Sequence, residues 1–211
     1  GTGTLARQFA ARGATVTGID PAAPMLEQAR QLDAEAGVAV DYREARAEDT
    51  GLPTASVDAV TAGQCWHWFD RPKAAQEVAR VLVPGGLVAI PHFDWLPLPG
   101  NIVAATEALI LEHNPSWALA GGDGTHTAWF ADLAGAGFVD LESFSFDVAV
   151  PYSHADWRGR IRASAGVAAS LPPAGVEAFD AAHATMLATQ FPADPLAVPH
   201  RVWALVGRKP A

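Results

Sequence analysis

The chain has 211 residues, is half hydrophobic by the broad count and carries a formal charge of −9, so it can bury a substantial core and predicts one domain with an insertion or lid. Lys73 and Lys209 are its only lysines; without clustered Lys and Arg, a nucleic-acid partner is not expected. No apolar run reaches the roughly 18 to 20 residues that span a bilayer, and no signal-peptide pattern opens the chain. The single Cys65 excludes an internal disulfide and a Cys-rich zinc site, and the expectation is a soluble, cytoplasmic protein with no membrane partner.

In chain order, GTGTLARQFAARG is a glycine-rich turn running into an amphipathic helix, and Thr15–Asp20 reads as a strand ending in a carboxylate. Gly1 and Gly3 lack Cβ atoms, so N–H groups at the helix start can approach a ligand, and Asp20 can accept from ribose hydroxyls at the strand's carboxyl end. Such a loop ordinarily follows a buried strand, so a first strand is expected upstream of Gly1. Residues 21–37 predict a helix with proline near its start and Gly37 at its end, and Val38–Arg43 alternates like a strand. Ser56–Ala62 gives the next strand, Arg71–Leu82 a helix, and the PGG at Pro84–Gly86 turns the chain into the buried strand LVAI. The alternation predicts an α/β fold with a parallel sheet covered on both faces.

Beyond Ile90 the rhythm changes. Helices are expected over Asn101–His113, Thr127–Ala134, Ala155–Ala163 and Val176–Thr189, an extended segment over Phe138–Val150 and a final strand over His200–Arg208. Two strands separated by helices predict an antiparallel sheet edge carrying an inserted helical cap. Arg158, Arg160 and Arg162 alternate on a helix and predict a solvated face. Trp66, Trp68, Trp95, Trp117, Trp129 and Trp157 together suggest an aromatic-rich cleft, with Trp203 in the core.

GTGTLA, GIDPAAPMLEQAR, RAEDTGLP, SVDAVTAGQCWHWFD and ARVLVPGGLVAI occur in the order and spacing of class I S-adenosylmethionine-dependent methyltransferases. From Gly1 to about Pro91 the chain resembles their small-molecule branch, typified by quinone-biosynthesis and trans-aconitate methyltransferases. The WHWFD segment followed by a helix and R-V-L-x-P-G-G is the most discriminating part. The resemblance implies a Rossmann-like methyltransferase sheet, mostly parallel with an antiparallel last strand, and a helical cap. It also implies a cofactor-binding half over 1–91, with the acceptor-binding region, cap and closing strands of the same domain over 92–211.

Carried across residue by residue, Gly1, Thr2 and Gly3 correspond to the loop beside the cofactor's sugar and amino-acid portion, and Asp20 to the carboxylate that binds both ribose hydroxyls. Pro21 and Met25 fall where apolar contacts to the adenosine are expected, Ala47 and Glu48 where the chain meets the adenine edge, and Gly63 and Gln64 near the methionine moiety. The chain departs from many relatives at Arg46, where they carry Asp. The implied reaction is in-line methyl transfer to a small hydrophobic or aromatic acceptor, with S-adenosylhomocysteine as product. His67 is the first candidate for a general base and His92 the second; together with Trp68, His67 is expected to floor an acceptor pocket built from His92–Phe191.

The remaining histidines are scattered, with no i, i+4 pair and no Cys partner, so no dedicated metal site is expected. An NAD-dependent oxidoreductase is the alternative reading, because GTGTLA fits G-x-G-x-x-A and Asp20 is near the ribose-binding spacing. Its catalytic set is wanting: neither Tyr42 nor Tyr152 has a lysine four residues later. A non-catalytic ligand-binding module with the same fold is a third reading.

Overall fold

A computed structural model of the chain describes residues Gly1–Ala211. Its first half runs α1 (Thr4–Ala10), β1 (Thr17–Asp20), α2 (Ala23–Ala36), β2 (Asp41–Glu44), β3 (Val57–Thr61), a 3₁₀ turn (Trp66–Trp68), α3 (Arg71–Val81) and β4 (Leu82–Trp95). Then come α4 (Ile102–His113), α5 (Trp129–Gly135), β5 (Val139–Tyr152), α6 (His154–Arg162), α7 (Pro173–Gln190) and β6 (Leu196–Arg208). Proline in the first turn of α2 and α3 pre-sets the helical φ, and Gly37, at φ 66°, closes α2 in the left-handed region.

β1 and β2 pair in parallel, with Asp20 opposite Glu44, and form a sheet of their own. β3 and β4 also pair in parallel, within a four-stranded sheet of order β3-β4-β6-β5. The last strand is antiparallel to both neighbours. Against β4, Gly85 donates to the Lys209 carbonyl and Lys209 to that of Gly86, while Leu96 donates to Pro199. Against β5, Arg208 faces Asp140 and Arg201 faces Asp147, so the numbering falls on one strand as it rises on the other. The α/β architecture with an antiparallel closing strand is therefore as the sequence predicts. One detail differs: the PGG segment does not precede its strand but lies inside β4, as a bulge across which the pairing jumps from Val57–Leu82 to Ala59–Leu87.

Two compact units share the chain. The first comprises Gly1–Pro91, Thr127–Phe144 and Ala204–Ala211; the second comprises His92–His126 and Ser145–Trp203. The first unit's interior includes Ala74, Ala75, Val78 and Val81 on one face of α3, with Leu82, Val88 and Ile90 of β4. The second is built on α4, α6 and α7, whose buried residues include Ile102, Ile110, Trp157, Ile161, Phe179 and Leu187. There Arg160 is exposed, as expected, and lies 5.3 Å over the Trp95 ring, while the half-buried Arg158 and Arg162, one helical turn apart, both pair with Asp180 of α7, a partner the sequence did not indicate.

Candidate active site

Gly3 sits at the N-cap of α1 with φ 73°, and a Cβ there would lie 2.1 Å from the Tyr42 hydroxyl. Glycine is thus required both for the left-handed backbone and for the approach of the ring. Tyr42 packs with Leu26 and Ala29; burial, with the Asp33 carboxylate nearby, pushes its hydroxyl up to about 12. Asp33 is itself buried and pairs with Arg7 at 2.8 Å, and the Arg7 guanidinium donates to the Thr2 carbonyl at 2.8 Å. This chain of contacts fixes the Gly1–Gly3 loop. Sequence reasoning missed it, because Arg7, Asp33 and Tyr42 lie on three different elements.

Asp20 ends β1 beside that loop. One of its carboxylate oxygens accepts from the Ala22 amide at 2.8 Å and the other from the Gly1 amino group. The turn after β3 packs on α1, the helix that Gly3 caps. Gly63 in that turn lies against α1, where a Cβ would come 2.4 Å from Leu5 Cδ1. Next to it, Gln64 holds φ 60° and donates its amide to the Pro91 carbonyl at 3.1 Å. A non-glycine residue in this region is the kind of strain that clusters at ligand sites. Burial pushes the Cys65 thiol up to about 11, which keeps it protonated and unreactive at neutral pH.

The apolar positions follow the same end of the sheet. Met25 is 48% exposed while Leu26 and Ala29 take the core face of α2, so Met25 is not a packing residue. Pro21 is exposed and Ala47 half-buried. Glu48 is already engaged: its carboxylate accepts from the Asp70 amide at 2.8 Å and faces Arg46 at 3.5 Å, tying the loop after β2 to the start of α3.

In the 3₁₀ turn, Trp66 is fully buried and donates its indole N–H to Asp132 at 3.1 Å. His67 and Trp68 are exposed, with ring centroids 4.4 Å apart. Of the tryptophans expected to line a cleft, Trp66, Trp129 and Trp157 are buried, and Trp95 and Trp117 pack on the helical core. The large ring area gains more from burial than from lining a surface, and Trp68, 65% exposed, is the one that stands out to solvent. Trp203 is buried, as expected.

The second unit gathers residues that look scattered along the chain. His92 and Asp94 of β4 and His126 of the α4–α5 connection bring one potential ligand atom each within 4.8 Å of one another. The H-x-D spacing on a strand, which puts both side chains on one face, was a readable signal; the third member, 32 residues beyond Asp94, was not.

Comparison with known proteins fits this geometry. Residues 1–90 match the model of a methyltransferase domain. Bacillus subtilis YcgJ superposes over 100% of this chain and 89% of its own, with a TM-score of 0.64 at 21% identity. The fold is that of the class I methyltransferases. Haemonchus contortus phosphoethanolamine N-methyltransferase 2, solved with S-adenosylhomocysteine, shares it at a TM-score of 0.57 and 21% identity over 100% of this chain and 47% of that one. The demethylmenaquinone methyltransferase of Thermus thermophilus is 41% identical over 100 residues, covering 46% of each chain. The chain spans about half or less of the length of the curated relatives it matches. No helix is long and apolar enough to cross a membrane.

Proposed function

We propose that the protein is an S-adenosylmethionine-dependent methyltransferase acting on a small apolar or aromatic acceptor. The placement of Gly3 at the start of α1, Asp20 at the end of β1 and Gly63 after β3 against α1 carries this reading, since it gathers a carboxylate and side-chain-free backbone at the strands' carboxyl ends. In this reading Gly1, Thr2 and Gly3 line the cofactor's sugar and amino-acid portion and Asp20 accepts from the ribose hydroxyls. Pro21 and Met25 cover the adenosine, Ala47 and Glu48 border the adenine, and Gly63 and Gln64 border the methionine moiety. Glu48 serves that role while keeping its bond to Asp70. The exposed ring of Trp68 supports the aromatic acceptor, and acceptor recognition is assigned to 92–211.

The reaction is a displacement at carbon. The acceptor atom bonds to the methyl as the sulfur–carbon bond breaks, and the sulfur keeps the electron pair as a thioether. The protein's part is alignment and exclusion of water, a contribution that reaches ~7 to 11 kcal/mol for well-oriented reactants. Where the acceptor is a phenol or alcohol, His67, three residues beyond the strained Gln64 and exposed, takes its proton.

Calorimetric titration with S-adenosylmethionine, S-adenosylhomocysteine and NAD, followed by a methyl-release assay over a panel of small phenols and carboxylates, tests the reading. Saturable binding of the first two with methyl release supports it. Binding of NAD alone points to the oxidoreductase, and binding without turnover on any acceptor to a non-catalytic module.

A further inference from the structure

We propose that His92, Asp94 and His126 form a binding site for one divalent first-row transition ion, a two-histidine, one-carboxylate site lying wholly within the second unit. A single Asp94 oxygen stands 3.2 Å from His92 Nδ1 and 2.8 Å from His126 Nε2, and the two imidazole rings lie 4.3 Å apart between centroids. An ion about 2.0 to 2.2 Å from each donor holds neighbouring donors roughly 3.0 to 3.5 Å apart. Two of the three separations are already close to that spacing, and the third is within 4.8 Å.

The donor set selects the ion. Two imidazoles with one carboxylate suit zinc, iron, cobalt or manganese, whereas calcium and magnesium prefer oxygen throughout. Burial is graded across the site. His92 is 3% exposed and closes it from behind, while the Asp94 and His126 side chains keep about a quarter of their surface, 27% and 25%, as an entry path. Beside it, Trp203 meets the His126 ring edge-on at 5.4 Å, a partly apolar neighbour that strengthens a charge interaction. Three protein ligands leave at least one position for an exogenous group, and the chain's formal charge of −9 favours a cation. The proposal is independent of methyl transfer.

The test uses the whole chain, without a polyhistidine tag, stripped with chelator and titrated with Co²⁺ and then Zn²⁺. The expected result is one equivalent of Co²⁺ with visible ligand-field absorption, displaced by Zn²⁺, and a Zn²⁺-dependent rise in melting temperature. Asp94→Asn and His126→Gln should each weaken binding by more than about 100-fold, beyond the 10- to 100-fold that outer-sphere partners cost. Circular dichroism in chelator checks that both variants fold. Absence of stoichiometric Co²⁺ and Zn²⁺ binding by the wild-type protein overturns the site, as does wild-type affinity in both folded variants. If neither variant folds, the wild-type spectrum decides, since absorption bands without imidazole ligation would equally overturn it.

Discussion

The two units hold their buried polar groups in opposite ways. In the first, charges are tied to loops. Arg7 and Asp33 fasten the Gly1–Gly3 turn, and Glu77 fastens residues 50–54 by accepting from Thr50 while Arg80, paired with it at 2.7 Å, donates to the Leu52 carbonyl at 2.8 Å. Hydrogen bonds from Arg80 and Thr50 hold the Glu77 carboxyl at about 2. In the second, polar groups are enclosed in apolar surroundings: His183 is fully buried beside Phe179 and Thr106, and its Nδ1 has no hydrogen-bond partner. The first unit therefore uses ionic contacts to fix its loops, and the second keeps a histidine neutral inside a hydrophobic bundle.

The largest effect expected on the first unit is catalytic. If His67 takes the proton of a phenol or alcohol acceptor, His67→Gln should lower turnover on that acceptor by about 10²- to 10⁴-fold with S-adenosylmethionine affinity nearly unchanged, because only the proton-transfer step is removed. A raised KM with an unaltered pH profile would instead assign His67 to acceptor orientation. Next comes the loop. Gly3→Ala forces a Cβ against the Tyr42 hydroxyl and a left-handed alanine, and should cost about 2 to 4 kcal/mol in chemical denaturation. Gly13→Ala, at φ 90° with open space around it, should cost only the conformational share of about 1 to 2 kcal/mol. Equal losses at both glycines would remove the Tyr42 contact from the account.

For the second unit the expected signature is acid sensitivity. Burial first, with Arg158 and Arg162 adding to it and Asp180 opposing, lowers His183 from its ordinary value of 6.5 to about 4. A lowered folded value means that the stability is fully present above about 6.5 and is lost as pH falls towards 4, by up to about 3 kcal/mol. His183→Leu should flatten this dependence, as followed by denaturant melts between pH 7 and 4. Glu77 gives the contrast: its stability is present above the ordinary carboxyl value of 4.5 and lost only as pH falls towards 2. An unaltered slope in His183→Leu would transfer the acid response to other groups.

What the sequence made legible follows from this difference. The strand-helix alternation and the strand ending at Asp20 are local patterns, set by periodicity and punctuation, and the structure places them as read. At Met25 an inward helix face and a ligand contact call for the same residue type; its exposure sets the packing role aside. The Arg7–Asp33–Tyr42 chain and the His92–Asp94–His126 group depend on the meeting of elements far apart in sequence, which periodicity does not encode. The tryptophans misled for another reason. A composition count says how much aromatic area exists but not on which side of a core it lies, and Trp66 and Trp157 turned inward.

The most direct test is calorimetric titration of S-adenosylhomocysteine into the wild-type chain and Asp20→Ala. Loss of a charge-assisted bidentate contact should cost about 1.5 to 3 kcal/mol, a weakening of roughly 10- to 150-fold, in a variant that circular dichroism shows to be folded. Equal affinity in the two proteins would remove Asp20 from the site and contradict the account of the loop built around it.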